Sequence, residues 1–406
     1  NFDTEILTQF LNDEKLKFSG LVFGEVWFKI VNDKFEIDTD FSLKKGSYMG
    51  ELFDEMIFSG LLKDDIFHID DISMTRKGEM GLQASGTLPL KQNVKGHSNI
   101  ALQTRFSNIS IELVHRYIPK FFELDGKGTG DFRLGGTLEK TEIDYDFKIS
   151  NTRFDLVKLG DFSSKGTYDG NRLHVEYANS ISEHGNVYSS GYLPFDLNIG
   201  SKNFSKFHMD DELDFSARAS IKTLPFLSPY IDNLDSAEGM YSLELLLHGS
   251  PDNILRDGSI TIQNGKLHTL LFANPIESIN GLAVMKNNRL EINNFDFLLH
   301  SQDDKKEWKP KENAKLYGSI DFSSFFDPDY NLYISAENAS FKLLFMDVYG
   351  QGNLGLSITG RDTVLLEGEI ETQLAKVFYE FTTEDVGTLV QQENENIIAY
   401  NLNIPI

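Results

Sequence analysis

The hexapeptide GQGNLG at 350–355 has the glycine spacing of a dinucleotide-binding turn. That chemistry needs a strand before the glycines and a helix N-terminus after them to receive a pyrophosphate. The residues that follow, LSITGRDTVLLEGEIE, alternate as a strand does, so these glycines read as spacers between tightly turned strands. Nine histidines are scattered as His68, His97, His115, His174, His184, His208, His248, His268 and His300, and none falls at HExxH or another metal-ligand spacing. The acid pairs Asp64–Asp65, Asp70–Asp71 and Asp210–Asp211 lack the residue order of a calcium loop, and they read as a solvated face. No GxSxG elbow and no Walker A loop is present. The absence of cysteine excludes disulfides and thiolate metal sites. The expectation is a non-enzymatic chain with no catalytic residue, no metal site and no cofactor.

Charge narrows the partners. A formal net charge of −24 without a Lys/Arg cluster argues against nucleic acid, whose phosphates must be neutralised. It also gives no attraction to anionic lipid headgroups. No apolar run reaches the ~20 residues of a membrane helix, and no signal peptide is visible. The chain begins at Asn1 and ends on NIPI within an apolar alternation, which reads as a fragment of a longer protein cut at both ends.

The elements that would have to position any site are strands. Leu173, Val175 and Tyr177 alternate with His174 and Glu176; Leu290 and Ile292 with Glu291 and Asn293; Leu354, Leu356 and Ile358 with Gly355 and Ser357. Period 2 sends alternate side chains to opposite sheet faces. Many of these strands recur. DGKGTGDFRLGGTLEKTEIDYDFKISNTRF (125–154) aligns without gaps on EGMYSLELLLHGSPDNILRDGSITIQNGKL (238–267), so that Gly126, Gly136 and Asn151 match Gly239, Gly249 and Asn264, each 113 residues on. NRLHVE (171–176) matches NRLEIN (288–293). An upstream copy reads FKIVNDKF (28–35), then IFHIDDIS (66–73) and LQASGTLPL (82–90). The last of these parallels VYSSGYLPF (187–195) and AKLYGSIDF (314–322). A weaker start is YISAENASF (333–341). Asn151, shared by the copies, reads as a turn or bulge residue that sets each unit's bend.

Three stretches depart from alternation. Helical spacing predicts a short helix in 2–16, and Pro-broken short helices are expected in 107–124 and 222–236. The charged stretch 300–314 reads as an inserted loop. The expected organisation is a helical segment at 1–19, a first β-repeat at 20–106, helix plus second repeat at 107–221, helix plus third repeat at 222–325, and the start of a further β region at 326–406.

The repeated feature is an apolar stripe. In a sandwich it would pack against a second sheet. In a long sheet that curls along its length it would line a trough, and periodicity alone does not separate the two.

The run 224–299, with a short L..L.P...L piece, then G...l.l.l.G....p...G.i.i.nG.l, then I..i.g.l....n.l.i, resembles the AsmA-like/TamB family of bacterial envelope proteins. The order recurs more loosely at 111–195, and the resemblance covers 100–406. It implies a mainly β fold: an elongated twisted sheet folded into a U-shaped apolar groove, a β-taco, with a few short helices. It further implies an inner-membrane anchor on the N-terminal side, a periplasmic location, phospholipid as cargo between inner and outer membrane, and an Omp85-type outer-membrane barrel as partner. On that resemblance, the anchor and the barrel-contacting end are expected to lie outside this sequence. The groove lining implied is Phe28, Ile30, Phe147, Ile149, Leu173 and Val175, continued by Leu243, Leu245, Ile260, Ile262, Leu290 and Ile292. About 25 strands spaced ~4.8 Å apart would extend roughly 100 Å, the scale of an envelope bridge. The rival expectations are a scaffold for outer-membrane protein assembly and secretion, a closed β-solenoid adhesin or stalk, and a β-helix polysaccharide enzyme; the last would need converging carboxylates that the sequence does not line up.

Overall fold

A computed structural model describes residues 2–3, 18–31, 34–48, 51–76, 80–90, 99–111, 124–154, 157–204, 206–223, 234–269, 275–299, 312–324, 327–343, 348–361, 363–377 and 399–403. The strands are β1 (Phe2–Asp3), β2 (Phe18–Val31), β3 (Lys34–Tyr48), β4 (Glu51–Lys63), β5 (Ile66–Arg76), β6 (Met80–Pro89), β7 (Ala101–Ser110) and β8 (Leu124–Gly136). Then come β9 (Thr141–Phe154), β10 (Val157–Tyr168), β11 (Leu173–Ser182), β12 (Gly185–Leu193), β13 (Phe195–Asp196), β14 (Lys206–Phe207), β15 (Leu213–Thr223) and β16 (Leu234–Ser250). The last are β17 (Asn253–Thr269), β18 (Ile276–Lys286), β19 (Arg289–Leu298), β20 (Ala314–Asp321), β21 (Asp329–Leu343), β22 (Val348–Gly360), β23 (Leu365–Val377) and β24 (Ala399–Asn403).

The protein is mainly β, and no α-helix occurs among the described residues. The expected helices lie largely outside them. Where these stretches are described, the backbone is strand at Phe2–Asp3, 107–110, Leu124, 222–223 and 234–236, and Ile111 is a single 3₁₀ residue. The expected loop at 300–314 is described only from Glu312 on.

Contacts divide the chain into two units. The first holds Asn1–Glu183, Tyr188–Phe215 and Gly249–Ile254; the second holds His184–Val187, Ser216–His248 and Leu255–Ile406. In the first, β2 to β11 form an antiparallel meander, each strand pairing with the next. In the second, β17 to β23 do the same, and β24 pairs parallel with β23.

Two kinds of bulge recur at matching places. At Asp70–Asp71, Glu176–Tyr177 and Asn293–Asn294, two residues oppose one on the preceding strand: Ser59, Lys165 or Leu282. A bulge absorbs one residue without flipping the strand. Consecutive polar residues therefore both stay on the polar face, and alternation resumes in phase at Ile72, Ala178 and Phe295. Tyr177 thus leaves the apolar set that strict alternation assigns it, and it stands opposite Lys165.

The second kind carries asparagine in the left-handed region: Asn108 (φ 54°), Asn151 (54°), Asn264 (51°) and Asn338 (46°). Asparagine tolerates this conformation better than other residues with a Cβ. Each bulge turns its amide N–H toward the neighbouring strand, where a side-chain oxygen accepts it. The acceptors are Thr129 Oγ1 (3.0 Å), Asp161 Oδ1 (3.2 Å), Asn280 Oδ1 (2.9 Å) and Asn353 Oδ1 (3.1 Å). Asn151 is therefore a bulge residue, as its recurrence suggested.

The repeat can be followed through these marks. Gly20, Gly126 and Gly239 have φ of +140°, +141° and +138°, and each lies against the left-handed bulge of the next strand. A Cβ on Gly239 would fall 2.7 Å from Gly265 Cα, so only glycine fits there. The bulge after Gly20 is at Lys45 (φ 49°). Hence β2 is equivalent to β8 and β16, and β3 to β9 and β17. This corrects the upstream alignment. FKIVNDKF does not copy the continuous strand FKISNTRF; it crosses from β2 to β3, with Val31 paired to Lys34. The short similarity of five side chains is outweighed by backbone positions that only special φ values can fill.

Candidate apolar binding face

The pairing registers assemble the apolar stripe into files that run across the strands. In the first unit one file is Phe41, Phe58, Ile72, Ala84, Thr104, Phe132, Tyr145 and Gly166. Beside it run Leu43, Met56, Met74, Leu82, Phe106, Gly130, Phe147 and Ser164. A third is Thr39, Gly60, Ile69, Gly86, Leu102, Leu134, Ile143, Tyr168 and Leu173. None of the three holds a charge. The opposite face does: there Ser42, Ile57, Ser73, Gln83, Arg105, Asp131, Asp146 and Lys165 stand in line. Salt bridges such as Arg105–Asp131 (2.9 Å) and Lys165–Glu176 (2.9 Å) stay at the surface of that polar side.

Aromatic rings join the files. Phe41 stacks on Phe58 (4.9 Å between centroids) and Phe58 on Phe67 (5.6 Å). Further along, Phe132 stacks with Phe106 (5.7 Å), Tyr145 (6.2 Å) and Phe147 (6.0 Å), and Phe147 meets Phe162 (6.0 Å). These offset contacts each add about 0.5–1.5 kcal/mol beyond area burial. Burial pushes the Tyr145 phenol above its ordinary pKa, and the Ser164 hydroxyl donates to it at 3.4 Å, opposing part of that rise. The ring therefore stays neutral in the file. Most of these rings are only partly buried, whereas Leu43 and Met74 in the second file, and Ile149 on the same face, are buried.

In the second unit the files are aliphatic apart from Phe295. Ile260, Ala283, Ile292, Gly318, Leu332, Ile358 and Leu366 form one, and Ile262, Gly281, Phe295, Leu316, Ile334, Leu356 and Gly368 another. Burial is deeper here. Ala283, Leu290, Ile292, Phe295 and Leu332 make one buried cluster; Ile279, Phe297, Leu299, Ala314, Ala336, Ala339, Leu354 and Ile370 make another.

The twelve expected lining residues fall into three groups. Phe28 and Ile30 are the most open, at 72% and 67% exposure. Phe147, Leu173, Leu243, Leu245, Ile260 and Ile262 are partly buried. Ile149, Val175, Leu290 and Ile292 are buried, and they hold the wall together more than they offer surface. Phe28, Ile30, Phe147, Ile149, Leu173 and Val175 share the apolar face of the first unit; Ile260, Ile262, Leu290 and Ile292 share that of the second. The rings Phe41, Phe58, Phe106 and Phe132 were missed. They stand at alternate positions in strands flanked by glycine, a signal present in FSLKKG (41–46), FSG (58–60) and GDFRLGG (130–136).

Among the described residues, histidines and acids meet at most in pairs. His174 stacks on Tyr192 (4.5 Å) on the polar face, and His248 Nε2 lies 2.9 Å from Asp257 Oδ2. No group of three or more His, Asp or Glu placed to hold a metal occurs among the described residues. No helix of the described residues is long and apolar enough to cross a membrane. Comparison with protein-family models, with curated proteins and with solved structures finds no match.

Proposed function

We propose that this chain is a non-enzymatic conduit that carries phospholipid acyl chains along an apolar β-face. The observation that carries the reading is the uncharged, partly open set of files across β3 to β10, backed by a charged opposite face. With strands ~4.8 Å apart, the meander β2–β11 offers about 43 Å of such surface. Each methylene kept out of water there is worth about 0.8 kcal/mol. A face whose rungs repeat every strand presents near-equal sites in series, so a chain can advance without a large barrier. The resemblance to the AsmA-like/TamB family supports the same reading. On that reading the chain works in the bacterial periplasm, fixed to the inner membrane by a separate anchor and meeting an Omp85-type barrel at the outer membrane.

Photo-crosslinking in cells tests it. A photoreactive residue at Phe58, Phe132 or Phe147 is expected to capture phospholipid, while one at Gln83 or Lys165 on the polar face captures none. Lipid on neither set, at normal protein level, would sink the proposal.

A further inference from the structure

Repeat equivalence marks one connection as longer than its place requires. Gly86, Gly191 and Gly318 have φ of +138°, +142° and +130°, and a Cβ on any of them would fall 2.7–2.9 Å from the Cα of Leu102, Phe215 or Leu332. Gly318 thus faces a residue 14 positions on, and Gly191 one 24 positions on. The extra residues, within 194–209, hold β13 and β14, which form a separate two-stranded sheet.

Buried polar groups fix this insertion along one rim of the first unit, where β8 turns into β9 and β10 into β11. Leu197 N–H donates to Tyr168 Oη (3.0 Å), Ile199 N–H to Thr141 Oγ1 (3.0 Å) and Gly200 N–H to the Leu138 carbonyl (2.7 Å). Asn198 ties both turns together: its Oδ1 accepts from Thr141 N–H (2.9 Å) and its Nδ2 donates to the Gly170 carbonyl (2.9 Å). The Asp196 carboxylate accepts from Asn198 and Ser201. Thr141, Tyr168, Asp196 and Asn198 are all buried. Thr141 lies two residues before Ile143 and so shares its sheet face. The insertion is therefore a lip that overhangs the apolar face beside the file of Leu134, Ile143, Tyr168 and Leu173.

The lip carries chemistry unlike the rest of the chain. Ile199, Phe204, Phe207 and Met209 are 39–46% exposed, although a connection needs no apolar tip. Residues 197–209 contain Lys202 and Lys206 and no acid, within a chain of net charge −24. Both lysines are exposed, and neither pairs with a carboxylate among the described residues. Asp210 and Asp211 close the segment, and Asp211 lies 4.0 Å from Arg172. Exposed rings and lysines on one short segment suit the boundary between acyl chains and anionic headgroups. The uncharged file beside them suits the acyl half of the same amphiphile, which points to a lipid rather than a peptide as the occupant.

Resting on the lipid reading of the face, we propose that the lip is its headgroup site and selects anionic phospholipid. Lys202 and Lys206 neutralise the phosphate-bearing head. Phe204, Phe207 and Met209 cover the first acyl carbons, and the remaining methylenes lie on the files.

The full chain is tested with vesicles of phosphatidylcholine alone or mixed with phosphatidylglycerol. Flotation reads binding, and a photoreactive residue at Phe147 reads lipid capture. The expected result is capture of phosphatidylglycerol at least tenfold above phosphatidylcholine at equal amounts. Lys202→Glu with Lys206→Glu should abolish that preference. The same reversal at Lys29 and Lys148, exposed on the polar face, should leave it intact. Phe204→Ser with Met209→Ser, both at exposed positions, should lower capture of both lipids at least threefold. Equal capture of the two lipids by the native chain, or lip variants that match it, would overturn the headgroup site and leave the conduit standing. Flotation with phosphatidylglycerol but no capture at Phe147 would also overturn it, because the lip would then only touch a bilayer. So would self-association that excludes lipid and is lost in the Phe204 and Met209 variant, because a second copy would then cover the lip. Capture of neither lipid from Phe58, Phe132 or Phe147 would end the conduit and the headgroup site together.

Discussion

The two units use one backbone repeat and fill it differently. Asn151 and Asn264 occupy the same left-handed bulge, and Glu176–Tyr177 and Asn293–Asn294 the same two-for-one bulge. Yet Tyr145 and Phe147 in the first unit become Gly258 and Ile260 in the second. Rings standing off a sheet leave partly open surface between them. Small side chains in the second unit pack to near-zero exposure, as at Ala339 and Ala283 (0% and 1%), and Ile292 and Leu332 beside them are buried. The bulges therefore determine where the sheet bends and which face is apolar, and the side-chain fill determines whether that face is accessible. A conduit needs the first everywhere and the second only where cargo rests.

Substitutions in the two fills sharpen this contrast, beginning with the largest effect. Ile292→Ala, in the sealed cluster of the second unit, is expected to cost about 2–5 kcal/mol. Hydrogen exchange should show lost protection in β18–β20 and unchanged protection in β8–β10. Equal loss in both units would mean that they do not differ in packing. Phe147→Ala removes a half-exposed ring and its stacking partners, so about 1–2 kcal/mol is expected. Its main effect should be lower lipid capture from a probe at Phe132.

The bulges should respond alike in both units, because their chemistry is shared. Asn264→Ala and Asn151→Ala each place an ordinary side chain in the left-handed region, at a cost of about 1–2 kcal/mol. The corresponding Gly substitutions are expected to be near neutral. Denaturant titration monitored by exchange within each unit checks this, and a Gly variant as damaging as Ala would refute the conformational account. Asn280→Ala removes the acceptor of the Asn264 N–H, with about 0.5–1.5 kcal/mol expected.

The smallest expected effect is acid sensitivity. Backbone N–H groups of Arg172 and Asn287 hold Asp169 and Asp257 below the usual carboxylate pKa of 3.8; His248 adds to the second. At Asp321 the Ser323 hydroxyl and N–H do the same. A depressed folded-state pKa contributes stability that is present above the unfolded value and lost as pH falls through the folded one. Stability should thus be level above about pH 5 and decline below about pH 4. Asp257→Asn should flatten part of that decline in the second unit alone, as read by exchange in β17–β19.

Much of the architecture was legible in local patterns. The gapless match of 125–154 to 238–267 predicted shared backbone geometry, and the matching φ values of Gly126 and Gly239 follow from it. The fourth start at YISAENASF holds a true bulge at Asn338, and FSNISI (106–111) carries the same signal unread. Side-chain identity misled at FKIVNDKF because a hairpin and a bulged strand can share apolar spacing over eight residues. Which strand a residue pairs with is a long-range fact, and no local pattern encodes it.

Period 2, glycine and asparagine placement, and the missing charge along the stripe were thus determined by the sequence, since each acts within a few residues of itself. Tertiary structure alone decided that the stripes of successive strands fall into register as files, and that the rings of the first unit stay half-open while Ala283, Ile292, Phe295 and Leu332 of the second are buried. Both depend on lateral neighbours brought together by pairing, and exposure is a property of those neighbours rather than of the residue itself.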